Sequence, residues 1–301
     1  MLKLLSTEQD LKNALEATKD FPAFVLIHHS IRNKLANRCP ETSFNVFLHE
    51  NLSGNKLWIV YRYNPWTVPL AIFGSKIGEN FDKKSLFDAF YEFSKFYPQA
   101  FENPTLYVAH EFLIKLLKEW LKETFPKWYD EIVLYPTHFF YMTEEQKQKI
   151  LDLENKLPDG YRFAEVDFEK DDIEIITKTW RHHRPGDFEN TKAKIRNMPY
   201  SLIKDETGFP IAYEMTDSSA ICTHQYVHPD HRRKGLGNAV ERDLCQKCIR
   251  LGITPNKTVE TFNKEVLDAS NRSPYWTRWE HDGNPVELMW TIREPKNEDH
   301  N

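Results

Sequence analysis

The stretch that most constrains this chain is His228-Pro229-Asp230-His231-Arg232-Arg233-Lys234-Gly235-Leu236-Gly237-Asn238. It joins a strand-like run over 220–227 to a helix whose apolar residues, Leu236, Val240, Leu244, Cys248 and Leu251, recur on one face. A strand, a basic glycine-containing turn and a helix start, in that order, make an anion site, because successive backbone N–H groups and the positive helix end converge on one point. Gly235 and Gly237 let oxygens approach the backbone without meeting a Cβ. Arg232, Arg233 and Lys234 add charge of the kind that suits a pyrophosphate or a nucleotide 3′-phosphate. A dinucleotide-binding turn would need a third spaced glycine and an early strand, and a triphosphate loop would need Gly-Lys-Ser/Thr; the sequence has neither. An isolated Arg-x-x-Gly-x-Gly also reads as a basic surface turn closed by glycine. The flanking strand, Pro229 and the helical period favour the anion site.

Around this loop the chain is long enough, at 301 residues, for two domains of ordinary size. Twenty Phe, 13 Tyr and 8 Trp against only 10 Gly favour packed αβ layers over a fibrous or disordered chain. A net charge of -5 and a pI near 6.2 argue against a nucleic-acid partner bound through a bulk basic field. No apolar run approaches the ~18 residues of a membrane span, so no membrane partner is expected. The first residues carry neither a signal-peptide core nor an Arg-rich leader, and four unevenly placed cysteines suit a reducing compartment; the reading is an intracellular protein. Cys245-Gln246-Lys247-Cys248 has metal-like spacing but no second ligand pair, so both cysteines read as helix core and no metal is expected.

Elements follow from pattern. Ser6-Thr7-Glu8-Gln9 reads as a capping box, with Ser6 as the cap, opening a helix to about residue 17. Ala23-Phe24-Val25-Leu26-Ile27, Phe44-Asn45-Val46-Phe47-Leu48, Leu57-Trp58-Ile59-Val60-Tyr61 and Pro69-Leu70-Ala71-Ile72-Phe73 read as strands. Helices are expected over 84–96 and 110–122, the second with Phe112, Leu113, Leu116, Leu117 and Trp120 as its core face. A second capping box, Thr143-Glu144-Glu145-Gln146, opens a helix to about 157, and Pro158-Asp159-Gly160 makes the turn where we divide the chain into domains 1–157 and 158–301. Beyond it come strands at 161–166, 201–204, 210–215 and 220–227, helices at 171–182 and 188–197, and a polar tail at 294–301 expected to be mobile.

Val227-x-Pro229-x-x-Arg232-x-x-Gly235-x-Gly237 resembles the acyl-coenzyme A signature of the GNAT superfamily of N-acyltransferases. Residues 180–199, 211–217 and 259–263 together with this loop resemble the glycine N-acyltransferase family more narrowly. The resemblance covers 160–290 and is fainter before it. It implies an α+β fold of two GNAT-like domains, each a mixed, mostly antiparallel sheet flanked by helices, with the C-terminal one complete and the N-terminal one degenerate. It implies acyl-CoA as co-substrate and a small amine acceptor such as glycine or another amino acid, and by family analogy a cytoplasmic or mitochondrial setting. It further implies a bulge near Tyr226 and Val227 that splays two strands for the pantetheine arm. Cofactor oxygens would then be held by Tyr226, Val227, Arg232, Arg233, Lys234, Gly235, Leu236, Gly237 and Asn238, with Asn263 beside the arm and Tyr275 placed to protonate the departing thiolate.

One position departs from the pattern. Counting back from Gly235 puts Ile221 where these acyltransferases carry a glutamate base. Glu214, Asp217, His224 and His228 are the nearby substitutes; His224 comes first, since an ordinary imidazole suits proton removal near neutrality, and Glu214 second, with partly buried or solvated strand residues the plainer readings of both. His182-His183 reads either as a polar helix end or, by the resemblance, as lining for the acceptor pocket. Two further functions stay open: acetylation of peptide or protein amines, and a non-catalytic CoA-binding or interaction module.

Overall fold

The computed structural model describes residues 1–79, 81–126 and 132–293; the tail expected at 294–301 lies outside them. The first half contains strands β1 (Leu2–Leu5), β2 (Ser43–Glu50), β3 (Lys56–Tyr63), β4 (Leu70–Gly74) and β5 (Leu106–His110), and helices α1 (Glu8–Ala17), α2 (Val25–Leu35), α3 (Lys83–Phe96), α4 (Gln99–Glu102) and α5 (Glu111–Thr124). Then come β6 (Ile132–Tyr141), α6 (Glu144–Leu151), β7 (Tyr161–Phe163), α7 (Asp172–Lys178), α8 (Asp187–Asn197), β8 (Tyr200–Asp205), β9 (Pro210–Thr216), β10 (Cys222–Val227), α9 (Leu236–Arg250), β11 (Asn256–Glu260) and α10 (Lys264–Arg272). Short strands β12 (Thr277–Arg278), β13 (Glu280–His281) and β14 (Asn284–Pro285) precede the last, β15 (Glu287–Arg293).

All but β13 and β14 join one mixed, mostly antiparallel sheet in the order β1-β2-β3-β4-β5-β15-β6-β11-β10-β9-β8-β7, with β12 beside β6. The two parallel pairs, β4 with β5 and β10 with β11, fall at corresponding places in the two halves. The final strands are exchanged between halves. The chain's last strand, β15, pairs antiparallel with β5 on one side and β6 on the other, while β6 goes on to pair with β11. Strand alternation separates two cores: Val46, Val60, Ile72, Val108 and Leu288 pack with α2, whereas Phe47, Ile59, Phe73, Tyr107 and Met289 pack with α3 and α5. In the second half Leu202, Tyr213 and Met215 face α7 and α8, and Ile203 and Ala212 face α9.

Several sequence expectations change. Residues 23–27 are not a strand: Val25–Leu35 is helix α2, and Val25, Leu26, Ile27 and Ile31 are all buried. A helix apolar on most of its surface is one packed on several sides, and a short β-branched run cannot announce that. The cap of α1 is Thr7 rather than Ser6, its hydroxyl accepting from the Asp10 N–H at 3.0 Å. The Thr143 box forms as expected with Gln146, although α6 stops at Leu151 and β7 at Phe163. Strands β1, β5, β6 and β15 went unread; in β6, Pro136 argues against a central strand. Registered pairing with β11 ends at Thr137, and the Pro136 carbonyl still accepts from the Thr261 N–H at 3.0 Å, so the proline gives up only the donor it lacks.

A buried polar knot ties the halves together below β10. Asp217 pairs with Arg62 of β3 at 2.6 Å, and its other oxygen accepts from the N–H groups of Ser219 (2.8 Å) and Ile221 (3.1 Å). Arg62 also donates to the hydroxyls of Ser218 (2.7 Å) and Ser219 (3.0 Å), while Asn33 and Ser30 of α2 bond the Ser218 carbonyl and the Ser219 hydroxyl. Removing one partner of such a pair leaves the other charge buried alone, so Asp217→Ala should cost about 3–5 kcal/mol. Urea unfolding checks this; a midpoint equal to wild type would show the knot to be dispensable.

Candidate functional site

β10 and β11 register at a single pair, Cys222 with Lys257, and separate beyond it. Against β9 the register of β10 shifts between Thr223 and Tyr226, and His224 takes a positive φ of 58°. The bulge therefore begins at Thr223, earlier than Tyr226, and the edge of β10 facing β11 is left unpaired. A V-shaped opening in a parallel pair exposes backbone hydrogen-bonding groups that a ladder would otherwise consume.

At the open end of this fork stands the basic loop. Pro229–His231 form a short 3-10 turn, Arg233 has φ 61°, and Gly235, at φ 79°, is the N-cap of α9 without a capping side chain. The N–H groups of Leu236, Gly237 and Asn238 precede the first helical bond, Ala239 N–H to the Gly235 carbonyl at 3.1 Å. They constitute the uncapped positive end of a 15-residue helix. Leu236 itself is anchored in the α9 core, so only its backbone faces outward. Arg232 Nε donates to the Val227 carbonyl (3.2 Å), and Lys234 Nζ donates to the Tyr161 hydroxyl (2.8 Å), which also meets His231 Nδ1 at 2.7 Å. Arg233 and Asn238 are exposed, and Tyr226 stacks on Tyr213. Asn263 caps α10, accepting from the Val266 N–H at 3.5 Å.

The acid–base candidates separate by face. His224 lies on the α7 side, 9 % exposed, with Nε2 3.0 Å from the Thr179 hydroxyl. Burial, with Lys194 adding to it, pulls its pKa down to about 3. Glu214 lies on the α9 side, buried, and burial, with Glu241 and Cys222 nearby, pushes its carboxyl well above the usual range. Tyr275 follows α10, half-buried against the cluster of Cys245, Val259 and Leu267. Beside it Trp276 Nε1 donates to Glu241 at 3.1 Å, and Glu241 also binds Lys257 at the fork's apex. Ile221 is 4 % exposed in the apolar core with Phe139 and Leu244.

Two features of the site went unread. Gln225, at the bulge, donates to Glu214 (3.3 Å) and to the Gly237 carbonyl (3.2 Å), linking fork and helix start; an isolated glutamine carries no sequence signal for this. On the α7 side, Arg181 and His182 converge on Glu260, the last residue of β11. That convergence depends on α7 ending at Lys178, whereas the pattern suggested a helix to 182. A cleft of about 490 Å³ between α1, α2 and β2, lined among others by Lys34, Cys39 and Asn45, lies away from the fork. Burial pushes the Cys39 thiol up to about 12, which leaves that cleft without an activated nucleophile at this position.

No protein-family model matches the chain. Among solved structures, the X-ray structure of a Drosophila protein aligns over 98 % of both chains with a TM-score of 0.75 at 14 % identity. A tandem GNAT protein from the clavulanic acid biosynthesis pathway aligns over 99 % of this chain and all of its own at TM-score 0.55 and 11 % identity. A GCN5-related N-acetyltransferase from Kribbella flavida aligns over 91 % and 96 % at TM-score 0.54 and 15 % identity. The chain therefore has a tandem GNAT-like α+β fold, one mixed sheet flanked by helices.

Proposed function

We propose that the chain is an acyl-coenzyme A-dependent N-acyltransferase that moves an acyl group from acyl-CoA to the amine of a small molecule such as glycine or another amino acid. The observation that carries this is the open fork of β10 and β11 ending at an uncapped, basic helix start. The helix start offers backbone donors and positive charge to a pyrophosphate, and the unpaired edge of β10 offers hydrogen bonds to the amides of a pantetheine arm. Tyr226, Val227, Arg232, Arg233, Lys234, Gly235, Leu236, Gly237, Asn238 and Asn263 are the proposed contacts, Leu236 through its backbone. Lys234 and Arg232 are already engaged with Tyr161 and Val227, which holds the loop in shape before a ligand arrives.

Chemistry follows the same geometry. An amine nitrogen attacks the thioester carbonyl, a C–N bond forms, the C–S bond breaks, and the thiolate must take up a proton to leave as CoA-SH. Tyr275 is the proposed donor of that proton. A His224 imidazole with a pKa near 3 is a weak base at neutral pH, so its role is to hold the bulge against Thr179. Glu214 faces α9 and serves to fix Gln225 and, through it, the Gly237 carbonyl. We further propose residues 1–157 and 158–301 as the two repeats, the first degenerate and the second binding acyl-CoA, with β6 and β15 exchanged between them.

Thiol release from acetyl- through benzoyl-CoA with mixed amino acids is the direct test; release that depends on a peptide amine instead would move the acceptor to proteins. CoA should stabilise the fold by about 2.7 kcal/mol at about 100 times its Kd. Gly237→Trp should abolish that stabilisation without unfolding the chain, since a Cβ there meets only Val227 Cγ2, at 3.4 Å. Unchanged CoA affinity in this variant would remove the proposed site. Ile221→Glu should lower the melting temperature and add no activity, because it buries a carboxylate in the apolar core; a stable, faster enzyme would show position 221 to be open to the base role.

A further inference from the structure

His224 and Glu214, beside the β10 arm, are both displaced from their ordinary ranges by burial, and the end of the opposite arm meets an imidazole. β11 ends at Glu260, whose carboxylate holds Arg181 Nη1 at 2.8 Å with one oxygen and stands 3.7 Å from His182 Nε2 with the other. The imidazole is about half-exposed, walled by Trp180 (ring centroids 5.3 Å, 68°) and Tyr135 of β6 (6.1 Å, 75°). Trp180 packs in turn on His224 at the bulge, 4.9 Å between centroids, so one aromatic side chain spans from the bulge to His182. This is the face an acceptor can reach: on the other face the apex is sealed by buried Cys222, Cys245 and Cys248 under α9.

The segment carrying His182 is held by the first half of the chain. Gly186, at φ 90°, presses so closely on β3–β4 loop residue Trp66 that a Cβ would lie 2.0 Å from its carbonyl oxygen, and Asn64 donates to Asn190 at 3.1 Å. His183 is turned aside toward Asp187, 3.8 Å away.

Resting on the acyltransferase reading, we infer that His182 is the general base of the transfer and Glu260 its positioning residue. The acceptor amine, in its neutral form, attacks the thioester carbonyl carbon. As the C–N bond forms, the amine proton passes to the ring nitrogen of His182 that does not face Glu260, and the carboxylate stabilises the imidazolium. The C–S bond breaks, and the thiolate leaves as CoA-SH with a proton from Tyr275. Burial, Arg181 and Arg184 lower the His182 pKa and Glu260 opposes them, while Tyr135 packs on the ring and His224 lies behind Trp180. The net shift is downward, which keeps the imidazole neutral and able to accept a proton near neutrality.

The test compares wild type, His182→Gln and Glu260→Gln by thiol release against pH, with thermal stabilisation by CoA measured on each. His182→Gln should lose at least about a hundredfold in kcat, the scale of a lost general base, and keep CoA stabilisation. Glu260→Gln removes the group that raises the His182 pKa. The acid limb of kcat/KM, where the base becomes protonated and activity falls, should therefore move to lower pH, and the His182 ring resonance in an NMR titration should move with it. His182→Gln with wild-type kcat and an unmoved acid limb overturns the inference while leaving the acyltransferase standing. Wild type that binds CoA yet releases no thiol with any amine overturns the enzyme reading itself, and this inference with it.

Discussion

The Asp217 carboxylate is the point on which the rest of this structure hangs. It closes the tight turn between β9 and β10, holding the Ser219 and Ile221 N–H groups with one oxygen while Ala220 sits at φ 64°. Its other oxygen reaches across to Arg62 in the first half. Taking both charges out of water is expensive, and only a fully hydrogen-bonded arrangement offsets that cost. Here the carboxylate accepts from Arg62 and from two backbone N–H groups, and the result is a defined starting position for β10. Because Ile221 N–H is fixed, Cys222 meets Lys257 and the strands diverge from that point.

The two halves show what the fork requires. β4 and β5 keep their parallel register from Leu70–Leu106 through Ile72–Val108, and just beyond, Ser75 Oγ meets His110 Nε2 at 3.0 Å and fastens the ends together. Gly74 is crowded as well, a Cβ there meeting Ile27 Cδ1 at 2.4 Å. The same parallel pair in the second half has one registered contact, a bulge and a basic loop in place of a clasp. In the first half the corresponding opening is closed. What that half gives the second is mechanical: a central pairing through β15 and β6, a counter-charge for Asp217, and a backbone surface against Gly186.

The legible parts of the sequence were those whose signal is local. The strand–loop–helix unit at 220–251 and the Thr143 capping box are specified by neighbours a few residues apart, and both formed. The illegible parts depend on packing between distant segments. Helix α2 was hidden because its β-branched residues serve contacts on several sides, with His29 accepting from the Thr254 N–H at 3.1 Å on the second-half side. The exchange of β6 and β15 leaves no mark in either strand, since a strand's composition says which face is buried and not which partner it takes. His182 was visible as one of a pair, but only the early end of α7 and the reach of Glu260 distinguish it from His183.

Ile221, where the resemblance to glycine N-acyltransferases would place a glutamate, looks different once its surroundings are known. Leu244 of α9 and Phe139 of β6 crowd the same cluster, so the position belongs to the apolar core that holds the halves together. A carboxylate there would need partners that the core does not contain. On the proposed acyltransferase reading, a proton acceptor for this fork comes from its half-exposed side and is still neutral near physiological pH. His224 is too deeply buried to gain a proton there, and Glu214 faces the wrong side of the sheet. Glu260 is engaged by Arg181, and what it leaves exposed beside it is the imidazole of His182.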